Sequence, residues 1–409
     1  MKRSIVLVVL AVNFLEWLEF GLYLYMAKTV FAHVFFPESD NSLMLTFALF
    51  AAAYLARPIG GWIFGRAADL NGRRKPMMFT AGLMGAATLG ICILPGYEQI
   101  GVLATWLLLL LRILQGLALG GEVNTSAMFM IEHHAKSPLY TGSLVAAFGA
   151  LGMFVGGVLA ALIQYSDFNQ LWRIIFACVG LVSLFVCKLR KQLSESPEFN
   201  TRQTITVTEL WQTHWRGMAN IAATGVFVST TVYLCNIFWL AFATQQHIWT
   251  SRQCAWVAAF AQLGSALFAI PIARLSKKEN ALKLLNWSMA VIAVSAPCLF
   301  YFTYHQVVTG TLLGLLGYML ASGLLCASFY YFLYLQLPAQ FRCRGVSIIW
   351  ALSASTGALA LPLAQQAISV KELYWVPGAM VSIAALFSFI TIKLTTFKQH
   401  STINDVRTA

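Results

Sequence analysis

Apolar runs of about 20 residues, separated by short polar intervals, recur from one end of the chain to the other. A helix of that length crosses the ~30 Å hydrocarbon core of a bilayer with every backbone amide bonded inside its own segment. The pattern predicts spans near 5–28, 43–65, 77–95, 100–121, 141–163, 172–190, 217–243, 253–273, 284–304, 308–334, 344–369 and 374–396, twelve in all. Composition agrees. Of 409 residues, 59% are hydrophobic and 10% charged, with a mean hydropathy of +0.72. That is too little charge to cover a soluble domain of this size. The expected class is an all-α membrane protein.

Cations set the expected orientation. Lys2 and Arg3, Arg66 to Lys75, Lys136, Lys188 to Arg216, Arg274 to Lys283, Arg342 and Arg344, and Lys393 to Arg407 fall on alternate loops. The intervening loops carry Glu38, Asp40, Glu98 and Asp167. An excess of Lys and Arg marks the cytoplasmic side, so both termini are expected there. The net charge of +12 is spent on topology, and no nucleic-acid partner is expected. The first span runs past a signal-peptide core without a small-residue cleavage site and is expected to be retained. The eight cysteines lie mostly inside spans, form no Cys-x-x-Cys, and read as packing residues. His133-His134 lacks further ligands, and no metal is expected.

Residues 191–216 are the longest polar interval and divide the spans six and six. The expected organisation is an N-terminal bundle over 1–190, a cytoplasmic central loop over 191–216, and a C-terminal bundle over 217–409 with a short cytoplasmic tail. Two such bundles rocking about a midplane site give alternating access. The halves differ chemically. Charges inside spans fall in the first: Glu16, Glu19, Arg57, Arg112 and Glu122. The second offers neutral groups: Asn236, Gln262, Tyr330 and Tyr334. The first half is therefore expected to handle protons and charge pairing, and the second to shape a pocket.

Three constellations carry the chemistry. Asn13, Glu16, Glu19 and Tyr23 step by three, three and four along one helix face, which must line water or protein because an intramembrane charge is costly. Arg57 in the second span lies at an overlapping depth, so pairing with Glu16 or Glu19 is expected, with either glutamate a candidate proton carrier. Arg112, Gln115, Leu119 and Glu122 share a second face, and the Arg112 guanidinium suits bidentate capture of a carboxylate. The third is the loop Gly65-Arg66-Ala67-Ala68-Asp69-Leu70-Asn71-Gly72-Arg73-Arg74-Lys75, a carboxylate held among cations between two apolar runs. It reads as a cytoplasmic latch, and Glu122, placed at its level, is expected to bond Arg73 or Arg74 and to gate. Ala273-Arg274-Leu275-Ser276-Lys277-Lys278 echoes the latch without its aspartate or second glycine. Gly149, Gly152, Gly156 and Gly157 form a ridge for close helix packing. Ser322, Cys326, Tyr330 and Tyr334 form a polar stripe.

The latch resembles the signature Gly-x-x-x-Asp-x-x-Gly-Arg-Arg/Lys of the major facilitator superfamily, matching at Gly65, Asp69, Gly72, Arg73 and Arg74, with Leu70 where a basic residue is usual. Asn13-Phe14-Leu15-Glu16-Trp17-Leu18-Glu19-Phe20, Arg57-Pro58-Ile59-Gly60-Gly61, Arg112-x-x-Gln115-Gly116, Gly120-Gly121-Glu122 and Glu195-Ser196-Pro197-Glu198-Phe199 resemble segments of its metabolite:proton symporters. Those carry α-ketoglutarate, citrate, shikimate and proline or betaine. The likeness is strong over 13–199 and weak beyond, apart from Arg342-Cys343-Arg344-Gly345. Leu18-Glu19 stands where Tyr-Asp is usual.

The resemblance implies the twelve-helix major facilitator fold in two pseudo-symmetric bundles, in a bacterial inner membrane. It also implies proton-coupled import of a small organic acid. Glu16 and Glu19 are then the proton-coupling candidates. Arg57, Arg112, Tyr23, Gln115, Asn236, Tyr330 and Tyr334 are the substrate-binding candidates, and Gly65, Asp69, Gly72, Arg73, Arg74 and Glu122 the gating ones. The proton gradient supplies the energy, so no cofactor is expected, and no obligate protein partner. The alternatives are a zwitterion carrier, an efflux antiporter and a transporter-like sensor. No nucleophile–base pair or phosphate loop points to an enzyme.

Overall fold

The computed structural model describes residues 3–37, 42–164, 170–199, 207–371 and 373–408. Lys2, Glu38, Asp40 and Asp167, used above to orient the chain, lie outside the described residues. No strand occurs among those described. The long helices are α1 (Arg3–Met26), α2 (Ser42–Asn71), α3 (Arg74–Ile93), α4 (Val102–His133), α5 (Pro138–Gln164) and α6 (Leu171–Leu189), then α7 (Val207–Val232), α8 (Ser251–Leu275), α9 (Ala281–Tyr304), α10 (Val308–Tyr334), α11 (Arg342–Ala358) and α12 (Val376–Thr408). Eleven segments among the described residues are long and apolar enough to cross a membrane. The 30-residue α2 supplies the remaining long helix of the expected twelve.

The outside of the molecule inverts the rule for soluble proteins. Leu55, Ile93, Trp106, Phe185, Trp287, Val294 and Ile383 are all more than half exposed. An apolar rim of that extent is stable against lipid and unstable against water. Inside, α1 packs on α5, α2 on α4, and α3 on α4 and α6. In the second half α9 packs on α10 and α12, α8 on α10, and α7 on α11 and α12. The halves meet where α2 lies on α11 and where α5 lies on α8 and α10.

Small residues make these contacts close. A Cβ on Gly116 or Gly120 of α4 would stand 2.1 Å from the carbonyl oxygen of Ala53 or Arg57, so α2 and α4 touch backbone to backbone. The Gly149–Gly152–Gly156 ridge takes Trp17, Phe14 and Leu18 of α1 in the same way. The first helix of each half ends in a π turn, Ala27–Phe31 after α1 and Tyr233–Phe238 after α7. Such turns widen the helix and often mark functional positions. Phe31 lies in the first of these turns and Asn236 in the second.

Candidate functional site

The latch is closed, and carboxylates close it. Asp69, past the apolar run of α2, accepts the backbone N–H groups of Cys343 (3.2 Å) and Arg344 (2.9 Å) at the start of α11. A helix N-terminus presents unpaired amides and a positive dipole end, so one carboxylate can tie the two halves together there. Gly65 makes the approach possible, because a Cβ at that position would lie 2.8 Å from the Arg344 Cα. Burial pushes the Asp69 carboxyl up to about 7, against the pull of the two amides, Arg73 and Arg344.

Beside it, Glu132 at the end of α4 binds Arg73 through Nε and Nη2, both at 3.1 Å. The same carboxylate accepts Arg342 Nη1 at 3.0 Å and the Ser196 hydroxyl. Arg342 also reaches Glu198 Oε2 at 2.8 Å, and the Tyr334 hydroxyl donates to Glu198. Arg73 extends across the halves to the Ala339 carbonyl at 3.0 Å. Burial opposes ionisation of Glu198, yet the bonds from Tyr334 and Arg342 hold it below the usual carboxylate range. Glu195 caps the start of α3, accepting from the Arg73 and Arg74 amides at 2.7 and 3.2 Å. Gly72 turns the chain there with φ +89°, and a Cβ on it would meet the Glu195 carboxylate at 2.3 Å. A buried ionic network is stable only when each member is satisfied, and this one is densely bonded.

Deeper in the first half lies a second set of charges. Glu19 of α1 pairs with Arg112 of α4 at 3.0 Å and accepts Gln115 Nε2 at 3.1 Å, while Gln115 also donates to Thr88. The Arg112 guanidinium rests 3.5 Å above the Tyr23 ring, with Phe31 beyond. Its Nε and Nη2 have no hydrogen-bond partner among the described residues. Arg57 lies 3.5 Å over Tyr54, with Phe20 at 5.3 Å. Such faces hold a cation without neutralising it. Glu16 is 2% exposed, and neither of its oxygens has a hydrogen-bond partner among the described residues. The charges acting on it are those of Glu122, Arg190 and Arg57, and its own reaches Tyr330 of α10.

The second half contributes polar groups without charge. Asn236 Oδ1 accepts Gln262 Nε2 at 2.6 Å and the Tyr318 hydroxyl at 2.9 Å. Tyr330 packs on Phe329 and lies against Gly142 of α5. Tyr233 meets Tyr54 edge-on at 5.4 Å, an uncharged contact between α2 and the end of α7.

Three expected placements change. Arg57 makes no salt bridge with Glu16 or Glu19 among the described residues, because Arg112 reaches Glu19 first and aromatic rings take Arg57. Glu122 bonds neither Arg73 nor Arg74. It is fully buried against Arg190 at 2.6 Å, with Thr80 and Ser126, and fastens α3, α4 and the turn after α6 within one half. Tyr334, expected to bind substrate, sits in the latch on Glu198 and Arg342. The sequence reading missed Glu132, Glu195, Glu198, Arg342 and Arg190 as latch or bundle residues. Glu132 left one signal, a lone carboxylate where the apolar face of α4 runs out toward the latch cations. Glu195, Glu198 and Arg342 sit in segments that carry the family resemblance, and Arg190 stood out only as one cation of the basic interval from Lys188 to Arg216.

Known proteins share the fold and part of the sequence. A family model described as "Sugar (and other) transporter" matches residues 5–207. The chain is 39% identical over 201 residues to the alpha-ketoglutarate permease of Escherichia coli K12, covering 46% of each. It is 35% identical over 247 residues to the citrate-proton symporter of Klebsiella pneumoniae, covering 55% of this chain and 53% of the symporter. The match thus spans about half the length of these curated relatives. Along the whole chain the fold is that of a solved proton:xylose symporter of the major facilitator superfamily, XylE (TM-score 0.73, 17% identity, 96% of this chain and 97% of that one). The human organic anion transporter MFSD10 is similar too (TM-score 0.69, 13% identity, 96% and 99%). The chain thus has the major facilitator fold from end to end, and its first half is similar in sequence to transporters of this kind.

Proposed function

We propose that the protein is a proton-coupled carrier of a small carboxylate-bearing metabolite, working by alternating access in a bacterial plasma membrane with both termini in the cytoplasm. One observation carries the reading. The first half seats two arginines on aromatic rings, Arg112 buried and Arg57 partly exposed, and buries one glutamate, Glu16, whose oxygens have no hydrogen-bond partner among the described residues. The Arg112 guanidinium has donors free for an anion, and Glu16 is a carboxyl group whose burial is relieved by a proton. Glu19, already neutralised by Arg112, serves to hold that arginine in place. Substrate and proton entering one cavity then favour each other, which is coupling. The names of the relatives, an alpha-ketoglutarate permease and a citrate-proton symporter, support the substrate class.

The test is uptake into proteoliposomes with an imposed inward proton gradient, comparing radiolabelled di- and tricarboxylates, proline and betaine. Carboxylate uptake that collapses with the gradient supports the proposal, and uptake indifferent to it refutes the coupling. A zwitterion carrier is the second reading. It is favoured by the Glu19–Arg112 pair, which offers both signs of charge, and by a Staphylococcus aureus relative provisionally named a proline/betaine transporter (32% identity over 241 residues). Uptake of proline or betaine alone would select it.

A further inference from the structure

The echo of the latch, Ala273 to Lys278, takes no part in the closed gate. Where Asp69 ties α2 to α11, the corresponding turn after α8 has lost its carboxylate and kept its cations. None of the salt bridges among the described residues involves Arg274, Lys277 or Lys278. All three are exposed. They line a cleft of about 610 Å³ together with Lys136 of the turn before α5. A second cleft, of about 650 Å³, adjoins it and shares Lys278 and Glu279. Arg216 and His214 of α7 line its far wall, and the Arg216 Nε is buried without a hydrogen-bond partner among the described residues. Lys136, Arg216, Arg274, Lys277 and Lys278 thus line, with one carboxylate, Glu279, a trough made of the two adjoining clefts.

The surroundings say what fills it. Leu275 between the cations is 85% exposed, and Leu335 on the wall of the second cleft is 57% exposed. Trp211 and Trp215 are 63% and 45% exposed, just where α7 breaks its helical geometry at His214. Exposed tryptophans and leucines beside lysine and arginine are the composition of a membrane–water boundary, where aromatic rings sit at headgroup level. Basic pockets between helices at that level suit anionic headgroups. We propose that the trough binds the phosphate headgroup of an anionic phospholipid from the leaflet on the latch side. The lost aspartate is the reason: one carboxylate, Glu279, stands against five cations there, and the excess positive charge takes a lipid phosphate. Bound there, the lipid bridges α5, α7, α8 and the start of α9.

The experiment uses the full chain in mild detergent, with native mass spectrometry and thermal midpoints read against added phosphatidylglycerol, phosphatidylcholine or inorganic phosphate. Wild type should retain phosphatidylglycerol over phosphatidylcholine by about tenfold, and raised salt should erode the preference. A triple variant, Arg274→Gln, Lys277→Gln and Lys278→Gln, should lose it, and Arg216→Gln on the opposite wall should weaken it separately. These positions lie outside the gate and the buried charge face, so circular dichroism should stay native. Equal phosphatidylglycerol retention by wild type and the triple variant would overturn the proposal. An equal midpoint shift with inorganic phosphate would also overturn it, making the trough a free-phosphate site.

Discussion

Glu132→Gln should open the latch. The side chain is fully buried and accepts two bonds from Arg73, one from Arg342 and one from Ser196. Glutamine keeps the shape and removes the charge, and its amide N–H₂ then faces a guanidinium. Leaving buried charges without their partner typically costs about 3–5 kcal/mol. When the halves part, Arg342 leaves Glu132 while Arg73 stays beside it in the same half, so the part of the loss tied to closure is that of the Arg342 bond across the halves. At about 1.4 kcal/mol per decade, even the lower figure shifts the closed-to-open ratio by roughly a hundredfold. The protein carries its own reporter. Cys343 is 0% exposed, and its amide is held by Asp69 at the start of α11, so it is reachable only when the halves part. Alkylation at Cys343, resolved from the other cysteines by peptide mass spectrometry, tracks the open population when opening is fast. The rate should rise about a hundredfold in Glu132→Gln. Glu122→Gln, which breaks an equally buried pair inside one half, should lower the thermal midpoint without a comparable rise. Unchanged Cys343 protection in a folded Glu132→Gln protein would refute the assignment of the gate, and so would equal labelling in the two variants.

Asp69 gives the latch a pH dependence of defined sign. Its carboxyl is raised to about 7 in the closed state from an ordinary value of 3.8, so the closed state binds the extra proton. Its contribution to closure is complete below about 4 and is lost as pH rises through about 7. Glu198, held below its ordinary 4.5, contributes closure above that value and loses it only at more acid pH. Cys343 labelling, normalised to a free thiol, should therefore increase from pH 5 to 8, and Asp69→Asn should flatten that rise. On the proposed mechanism Glu16→Gln abolishes gradient-driven uptake but keeps substrate counterflow, whereas Glu19→Gln frees Arg112 and lowers affinity. Identical transport by both variants and wild type would sink those roles. Gly72→Ala should lower the thermal midpoint more than Gly101→Ala. Both positions have positive φ, but only the first drives a Cβ into a carboxylate, while the second opens onto empty space.

The number and order of the helices, the face bearing Glu16 and Glu19, and the latch motif were legible because each is local. A bilayer demands apolar runs of fixed length, and a 3.6-residue period puts Asn13, Glu16, Glu19 and Tyr23 in line whatever they face. Partner choice was not local. Arg57 and Arg112 are equally plausible mates for a glutamate on α1 by depth. Only the packing of α2 and α4 at Gly116 and Gly120, with Tyr54 and Tyr23 waiting beneath the two guanidinium groups, assigns Glu19 to Arg112 and leaves Glu16 bare. Glu132, Glu198 and Arg342 lie as far apart as 210 positions along the chain, and helices meeting at one end of the molecule make them a single network. The sequence by itself supplied the charges and the faces they share. Which opposite charges meet was decided by tertiary structure, because an ion pair depends on ångströms between helices that no periodicity encodes.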